Sequence, residues 1–258
     1  MSARSDRRDV QILTPDWPAP ARVRAAFTLR QGGVSTAPYD SLNVGVHVGD
    51  DPAAVAENRR RIRAQLQLPE EPAWIEQVHG IEVLDLDQSA ATGTADAVFT
   101  RRPGLVCAVQ VADCLPVLFA TRDGRGVGAA HAGWRGLAGG VLEATVAALR
   151  EATRAAPGDI VAWLGACIGP DAFEVGEDVR EAFDADETRH FRAAPARDGR
   201  RKWFADLPAL AHGRLQRLGL VDIEACGLCT ASDTSRFFSY RREGLTGRLA
   251  AAAWIDAV

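Results

Sequence analysis

The stretch LVCAVQVADCLPVLFATRDGRGVGAAH (105–131) decides the fold. Its apolar runs, Leu105–Val111, Leu115–Thr121 and Val127–His131, are short and broken by turn residues such as Asp123, Gly124 and Gly126. Runs of that length and composition read as strands. Working outward, further strands are expected at Val23–Leu29, Ala73–Val78, Ile81–Leu86, Ile160–Ala166, Ile223–Cys226, Phe237–Tyr240 and Arg248–Ile255. Helices are expected at Pro52–Gln67, Leu137–Ala152, Gly176–Ala185 and Leu207–Leu218. The strands from Ala73 to His131 follow one another almost without helices, so a simple alternating βαβ winding fails. The expectation is an α+β chain, with strand-rich layers covered by helices. It is read as one domain over residues 1–258, with 1–21 a loosely ordered N-terminal segment. The polar, basic stretch Arg189–Arg201 reads as a surface loop.

Composition narrows the function classes. The chain has 258 residues, 47% hydrophobic and 25% charged, which is ordinary globular composition. A net charge of -4 argues against nucleic-acid or membrane-surface binding driven by bulk charge. Lys202 is the single lysine, which argues against Schiff-base chemistry. Five cysteines, an odd number at scattered spacings, argue against a disulfide framework. The start MSARSDRRDV lacks an apolar signal region, and no apolar run is long enough for a membrane span. The expectation is a reduced, cytoplasmic protein acting on small molecules, with a monomer as the default.

The first helix has Asp51 as N-cap and Pro52 at its first position. Its apolar face carries Val55, Ile62 and Leu66, and the spacing puts Arg59 on that same face. Arg60, Arg61 and Arg63 are better placed to reach solvent. An inward arginine needs an anionic partner. Two readings stay open: a structural ion pair with an Asp or Glu, or an anion-binding arginine in a site.

Three segments each place one metal-binding residue type at a strand end. They are WIEQVHG (74–80), VADCLP (111–116) and AAHAGWRG (129–136). His79, Cys114 and His131 make a His-Cys-His set, and three protein ligands with an open position suit catalytic zinc. Their long separations also allow unrelated buried or solvent-facing residues. Asp113 is a candidate to orient a ligating imidazole. After His131 come Gly133, Arg135, Gly136, Gly139, Gly140 and a helix, a plausible phosphate cradle with Arg135 as donor.

The motifs QVHG (77–80), ADCLPV (112–117), HAGWRG (131–136), CT (229–230) and FFSYRREGLTGR (237–248), with the opening TLRQGGVSTAPYDSLNVGVHVGDDPAAVAENRRR (28–61), resemble the YfiH family. That family is also called the laccase-domain or polyphenol-oxidase family. The resemblance runs from about Phe27 to Leu249 with no departure at the three ligand positions. It implies a layered α/β/β/α-type fold shared with some cysteine-hydrolase toxins, and His79, Cys114 and His131 as zinc ligands. It implies phosphorolysis of adenosine, inosine, guanosine and methylthioadenosine, with some adenosine deamination. Copper-dependent phenol oxidation and editing of peptidoglycan precursors have also been assigned to the family.

Residue counts test the oxidase alternative. A blue-copper centre usually adds an axial Met, and no internal Met exists. A laccase-type cluster needs many more imidazoles than the remaining His47, His190 and His212. Cu²⁺ can still take the place of Zn²⁺ in such a site, since it outranks zinc in affinity. For phosphorolysis, Arg59 and Arg135 are candidates to neutralise phosphate. Asn43 and His47, in SLNVGVH, are candidates for ribose or base, against a turn-capping Asn and a surface His. Gln77, two residues before His79, shares its strand face if the strand persists that far. Cys226 and Cys229 form a CxxC pair, read as buried and reduced rather than as a redox or zinc half-site. Cys107 and Cys167 read as core, and neither Ser235 nor Ser239 has a nucleophile motif around it.

Overall fold

The computed structural model describes residues 9–88 and 92–257. One sheet has the order β1 (Ile12–Leu13), β2 (Val23–Thr28), β14 (Leu249–Ile255), β6 (Val106–Val111) and β3 (Ala73–Trp74). The second runs β13 (Asp222–Ala225), β9 (Ile160–Leu164), β7 (Leu115–Thr121), β8 (Val127–Ala132), β5 (Ala97–Thr100) and β4 (Val83–Asp85). A small third sheet joins β10 (Glu174–Val175), β12 (Arg200–Ala205) and β11 (Phe191–Arg197). The helices are α1 (Pro52–Leu66), α2 (Trp134–Gly139), α3 (Val141–Thr153), α4 (Glu177–Arg180), α5 (Leu207–Arg217) and α6 (Tyr240–Glu243).

Alternation along the strands builds the layers. In β6, Cys107, Val109 and Val111 face the space between the two large sheets, while Val106 and Ala108 face Ile62 of α1. In β14 the inner set is Leu249, Ala251, Ala253 and Ile255, and the outer set is Ala250, Ala252 and Trp254. In β7, Leu118 and Ala120 face inward, while Leu115, Val117 and Phe119 pack on the side that holds α3 and α5. Both faces of each central strand are therefore buried, which is why β6, β7 and β14 read as nearly continuous apolar runs. A slip of one residue in any of them would exchange its two faces between two cores. The result is an α/β/β/α arrangement: α1, the five-stranded sheet, the six-stranded sheet, then α3 with α5.

Several sequence expectations are corrected. Phe237–Tyr240 is not a strand. Phe237 and Phe238 are fully buried, but the Phe237 carbonyl accepts from Arg242 instead of a ladder partner, and Ser239 caps α6. Aromatic residues favour strands only where a neighbouring strand offers bonds. Arg189–Arg201 is largely a hairpin, not a loop. Asp198 and Gly199 both take positive φ, 52° and 72°, as a two-residue hairpin turn of the Asp-Gly type requires. The helix expected over Gly176–Ala185 shrinks to α4, and that over Leu137–Ala152 breaks at Gly140, whose φ is 101°. The strand β5 was not expected. Of the segment expected to be loosely ordered, residues 1–8 lie outside the described residues, whereas Ile12 and Leu13 pair with Thr28 and Phe27. Among the described residues no helix is long and apolar enough to cross a membrane.

Candidate metal centre and the adjoining pocket

The register of the sheets brings the three ligand segments together. Pro116 of β7 pairs with His131 of β8, so Cys114, two residues earlier in the chain, lies beside His131. β3 pairs with β6, and the segment that leaves β3 carries His79 to the same place. The ligating atoms of His79, Cys114 and His131 all lie within 4.8 Å of one another. The Cys114 Sγ is 3.7 Å from His79 Nε2, and the two imidazole centroids are 4.7 Å apart. His131 is buried, Cys114 half-buried and His79 exposed, so the cluster opens on one side. Gly133 permits this approach. A Cβ there would meet His79 Cδ2 at 2.8 Å and Cys114 Sγ at 3.0 Å.

Asp96, fully buried just before β5, fixes the arrangement. Its Oδ1 accepts from His131 Nδ1 and from the His79 backbone N–H, each at 2.9 Å. Its Oδ2 accepts from the backbone N–H groups of Gly80 at 2.6 Å and Val78 at 3.2 Å. These donors hold the carboxyl below its ordinary range, against burial, which alone would raise it. One carboxylate thus orients one imidazole and holds the turn that carries the other, which has a φ of 61° at His79. With Nδ1 of His131 occupied, Nε2 is left to face the cluster. Burial would push the Cys114 thiol up, but the adjacent imidazoles of His131 and His79 pull it well below its usual value. Two nitrogens and a readily ionised sulfur, open on one side and braced by a carboxylate, fit a zinc-type ion.

The orienting role foreseen for Asp113 belongs to Asp96. Asp113 instead accepts from Thr230 Oγ1 at 2.6 Å, Ser239 Oγ at 3.0 Å and the Arg241 N–H at 2.7 Å, tying the start of α6 to the ligand strand. Asp96 stands alone in TADAVF, and nothing in its spacing marks it.

A cavity of about 1020 Å³ opens beside the cluster and is lined by all three ligand residues. Arg59, His47, Gln77, Gln110, Trp74, Tyr240 and Arg248 also line it. Of the two readings open for Arg59, the ion pair with an Asp or Glu is not found among the described residues. The Arg59 Nε and Nη2 donate to the Val44 carbonyl at 3.0 and 2.8 Å, and the guanidinium lies 4.1 Å over the Trp74 ring. No carboxylate pairs with it among the described residues, and its Nη1 makes no hydrogen bond there. Arg248 is held similarly, with Nη1 donating to the carbonyls of Thr246 and Gly247. Burial lowers the pKa of both guanidinium groups, yet neither can lose its charge near neutral pH. His47 is pushed below 6.5 by burial and by Arg248 and Arg59, so it is neutral at pH 7.

The remaining candidates divide. Asn43 is fully buried and outside the cavity wall. It donates to the Gly45 carbonyl and Asp50, and accepts from the N–H groups of Gly45 and Arg248, so it positions the loop and Arg248. Gln77 lines the cavity, but both ends of its amide bond the Gln110 backbone, at 2.9 and 2.7 Å. Arg135 is exposed, stacked 4.3 Å over Trp134 and not on the cavity wall. Arg248, within FFSYRREGLTGR, lines the cavity, and Arg135 does not. All five cysteines are free. Cys229 accepts from the Gly169 N–H and Ser232, and neither it nor Cys226 belongs to a second ligand cluster among the described residues.

The family described as multi-copper polyphenol oxidoreductase laccase matches residues 24–256. A protein named purine nucleoside phosphorylase from Pseudomonas aeruginosa is 53% identical over 95% of this chain and 98% of its own length. Purine nucleoside phosphorylase YfiH from Escherichia coli is 49% identical over 95% and 99%. The crystal structure of a Neisseria meningitidis protein superposes with a TM-score of 0.87 at 45% identity, covering 95% of this chain and 99% of that one. The same layers and nearly the whole length are thus shared, and the chain belongs to the YfiH family, whose family description is multi-copper polyphenol oxidoreductase laccase.

Proposed function

We propose that this chain is a zinc-dependent purine nucleoside phosphorylase. It converts adenosine, inosine, guanosine or methylthioadenosine and phosphate into free base and the sugar 1-phosphate. Adenosine deamination is a second activity of the same pocket. The observation that carries this reading is the joining, in one cavity, of the ligand cluster with two half-buried arginines that form no ion pair among the described residues. The names of the relatives from P. aeruginosa and E. coli support the same reaction class. The plural copper centres in the family description find no counterpart, because a single ligand cluster exists among the described residues.

In phosphorolysis the C1′–N9 bond breaks, a C1′–O bond to phosphate forms, and the base leaves with the electron pair. The positions of Arg59 and Arg248 suit them to hold the phosphate dianion through N–H groups that make no hydrogen bond among the described residues. Neutral His47 beside them can donate or accept without adding repulsion. Trp74 and Tyr240 offer aromatic surface for the base and ribose. Zinc held by His79, Cys114 and His131 would supply electrostatic stabilisation of negative charge at the reacting centre. The five free thiols fit a reducing compartment such as the cytoplasm.

Zinc-loaded protein incubated with adenosine and phosphate should form adenine and ribose 1-phosphate in equal amounts. Cys114→Ala, purified identically, should form neither. Equal activity in Cys114→Ala would assign the turnover to a contaminant and sink the reading.

A further inference from the structure

Two glutamines stand side by side in the cavity wall, and only one is tied down. Gln77 spends its whole amide on the backbone of Gln110. This clamp continues the pairing of β3 with β6 beyond the end of β3, and it fixes where the Gln110 side chain starts. Gln110 itself is 7% exposed, on the face of β6 that looks toward α1, near Trp74 and Arg59. Its Oε1 is buried without a hydrogen-bond partner, and its Nε2 has none among the described residues. A buried carboxamide oxygen without a partner is uncommon and costly, so it marks a place where a ligand completes the bonding.

The chemistry of that ligand follows from the amide. A carboxamide has an acceptor and a donor at nearly equal reach, and rotation about its last bond exchanges them. Gln77 cannot turn without losing two bonds. Gln110 can turn at no cost in protein hydrogen bonds. Presented with a 6-amino group it can offer Oε1, and with a 6-oxo group it can offer Nε2. We propose that Gln110 is the specificity residue for the base, reading the 6-position of purine nucleosides that carry either an amino or an oxo group. This deepens the phosphorylase reading above and rests on it.

The test compares adenosine, inosine and purine riboside, which lacks a 6-substituent, each with phosphate. Gln110→Leu should lower kcat/KM for adenosine and inosine about tenfold or more, the loss of one buried hydrogen bond. Purine riboside should change by less than about threefold. Gln110→Glu, an acceptor only, should keep adenosine and lose inosine, raising the adenosine-to-inosine ratio about tenfold or more. Unchanged ratios, or a uniform loss on all three substrates, would mark Gln110 as structural and overturn the proposal while leaving the phosphorylase reading intact. Calorimetry on the unmutated protein gives a variant-free check. Purine riboside binding as tightly as adenosine and inosine would overturn it. A wild-type protein that phosphorolyses none of the three would overturn both readings.

Discussion

Arg214, beneath the helical layer, and Arg59 with Arg248, at the cavity, are all arginines drawn out of water, yet they are held differently. Arg214 is 7% exposed and meets Glu187 through two N–H groups at 2.8 and 2.9 Å, with Glu143 at 3.2 Å and the Leu137 carbonyl at 2.7 Å. Burial would lower its pKa, but these carboxylates raise it above the ordinary value. Arg59 and Arg248 are held by backbone carbonyls, and burial leaves their pKa lowered. A carbonyl fixes a guanidinium without cancelling its charge. The first arrangement is a closed ion cluster that ties α5 to α3 and to the segment bearing Glu187. The second is an open one, with positive charge kept facing a cavity. The ion pair that was one of the two readings for Arg59 is not found there among the described residues, whereas Arg214 has one.

The largest expected effect breaks the closed cluster. Arg214→Leu should cost up to about 3–5 kcal/mol of stability, because it removes the two-bond partner of the buried Glu187 carboxylate and leaves it Arg217 alone. Denaturant titration measures this, and the phosphate half-saturation of the surviving folded enzyme should not move. The same cluster sets a pH limb. Burial would raise the Glu187 pKa, but Arg214 and Arg217 hold it at about 2, against an ordinary 4.5. A depressed folded-state pKa gives stability that is fully present above about 4.5 and is lost as pH falls toward about 2. In Glu187→Gln that part of the acid limb should flatten.

The next effect opens the other region. Arg59→Ala and Arg248→Ala should each lower kcat/KM for phosphate by about 10- to 150-fold, the loss of charge-assisted bonds worth about 1.5–3 kcal/mol. Both should destabilise the fold less than Arg214→Leu. A melting loss as large as that of Arg214→Leu, with activity retained, would make them structural and erase the contrast. A smaller effect concerns Asp96, which does for the imidazoles what Glu187 does for Arg214. Asp96→Asn should weaken zinc binding about 10- to 100-fold, measured by competition with a chelator. Affinity unchanged in Asp96→Asn would show that the ligand geometry is set by the strands alone.

What was legible in the sequence follows the range of the interactions. The strands from Leu105 to His131 were legible because burial on both faces leaves continuous apolar runs. The candidate ligands were legible because each is a metal-binding residue type next to turn-forming residues, with Gly80, Pro116 or Gly133 one or two positions on. Ala97–Thr100 was missed because a four-residue strand carries too little pattern. The hairpin around Asp198–Gly199 was hidden by its arginines, although its turn signal was present. Asp96 acts through partners far away in sequence, and Arg248 and Gln110 stand out only through a cavity whose other walls come from distant segments, so no local spacing announces them. Arg135 drew attention through its glycine neighbours, but the first turn of α2 carries it outside the cavity wall.

The central claim is that the metal cluster and the open arginine pair serve one reaction between a nucleoside and phosphate. The rate of adenine release at fixed adenosine, followed as phosphate is raised from zero, tests it most directly. The account predicts negligible release without phosphate, saturation as phosphate rises, and a half-saturation point displaced upward in Arg59→Ala and Arg248→Ala. Adenine released equally fast without phosphate, or a saturation curve that neither variant displaces, would contradict it.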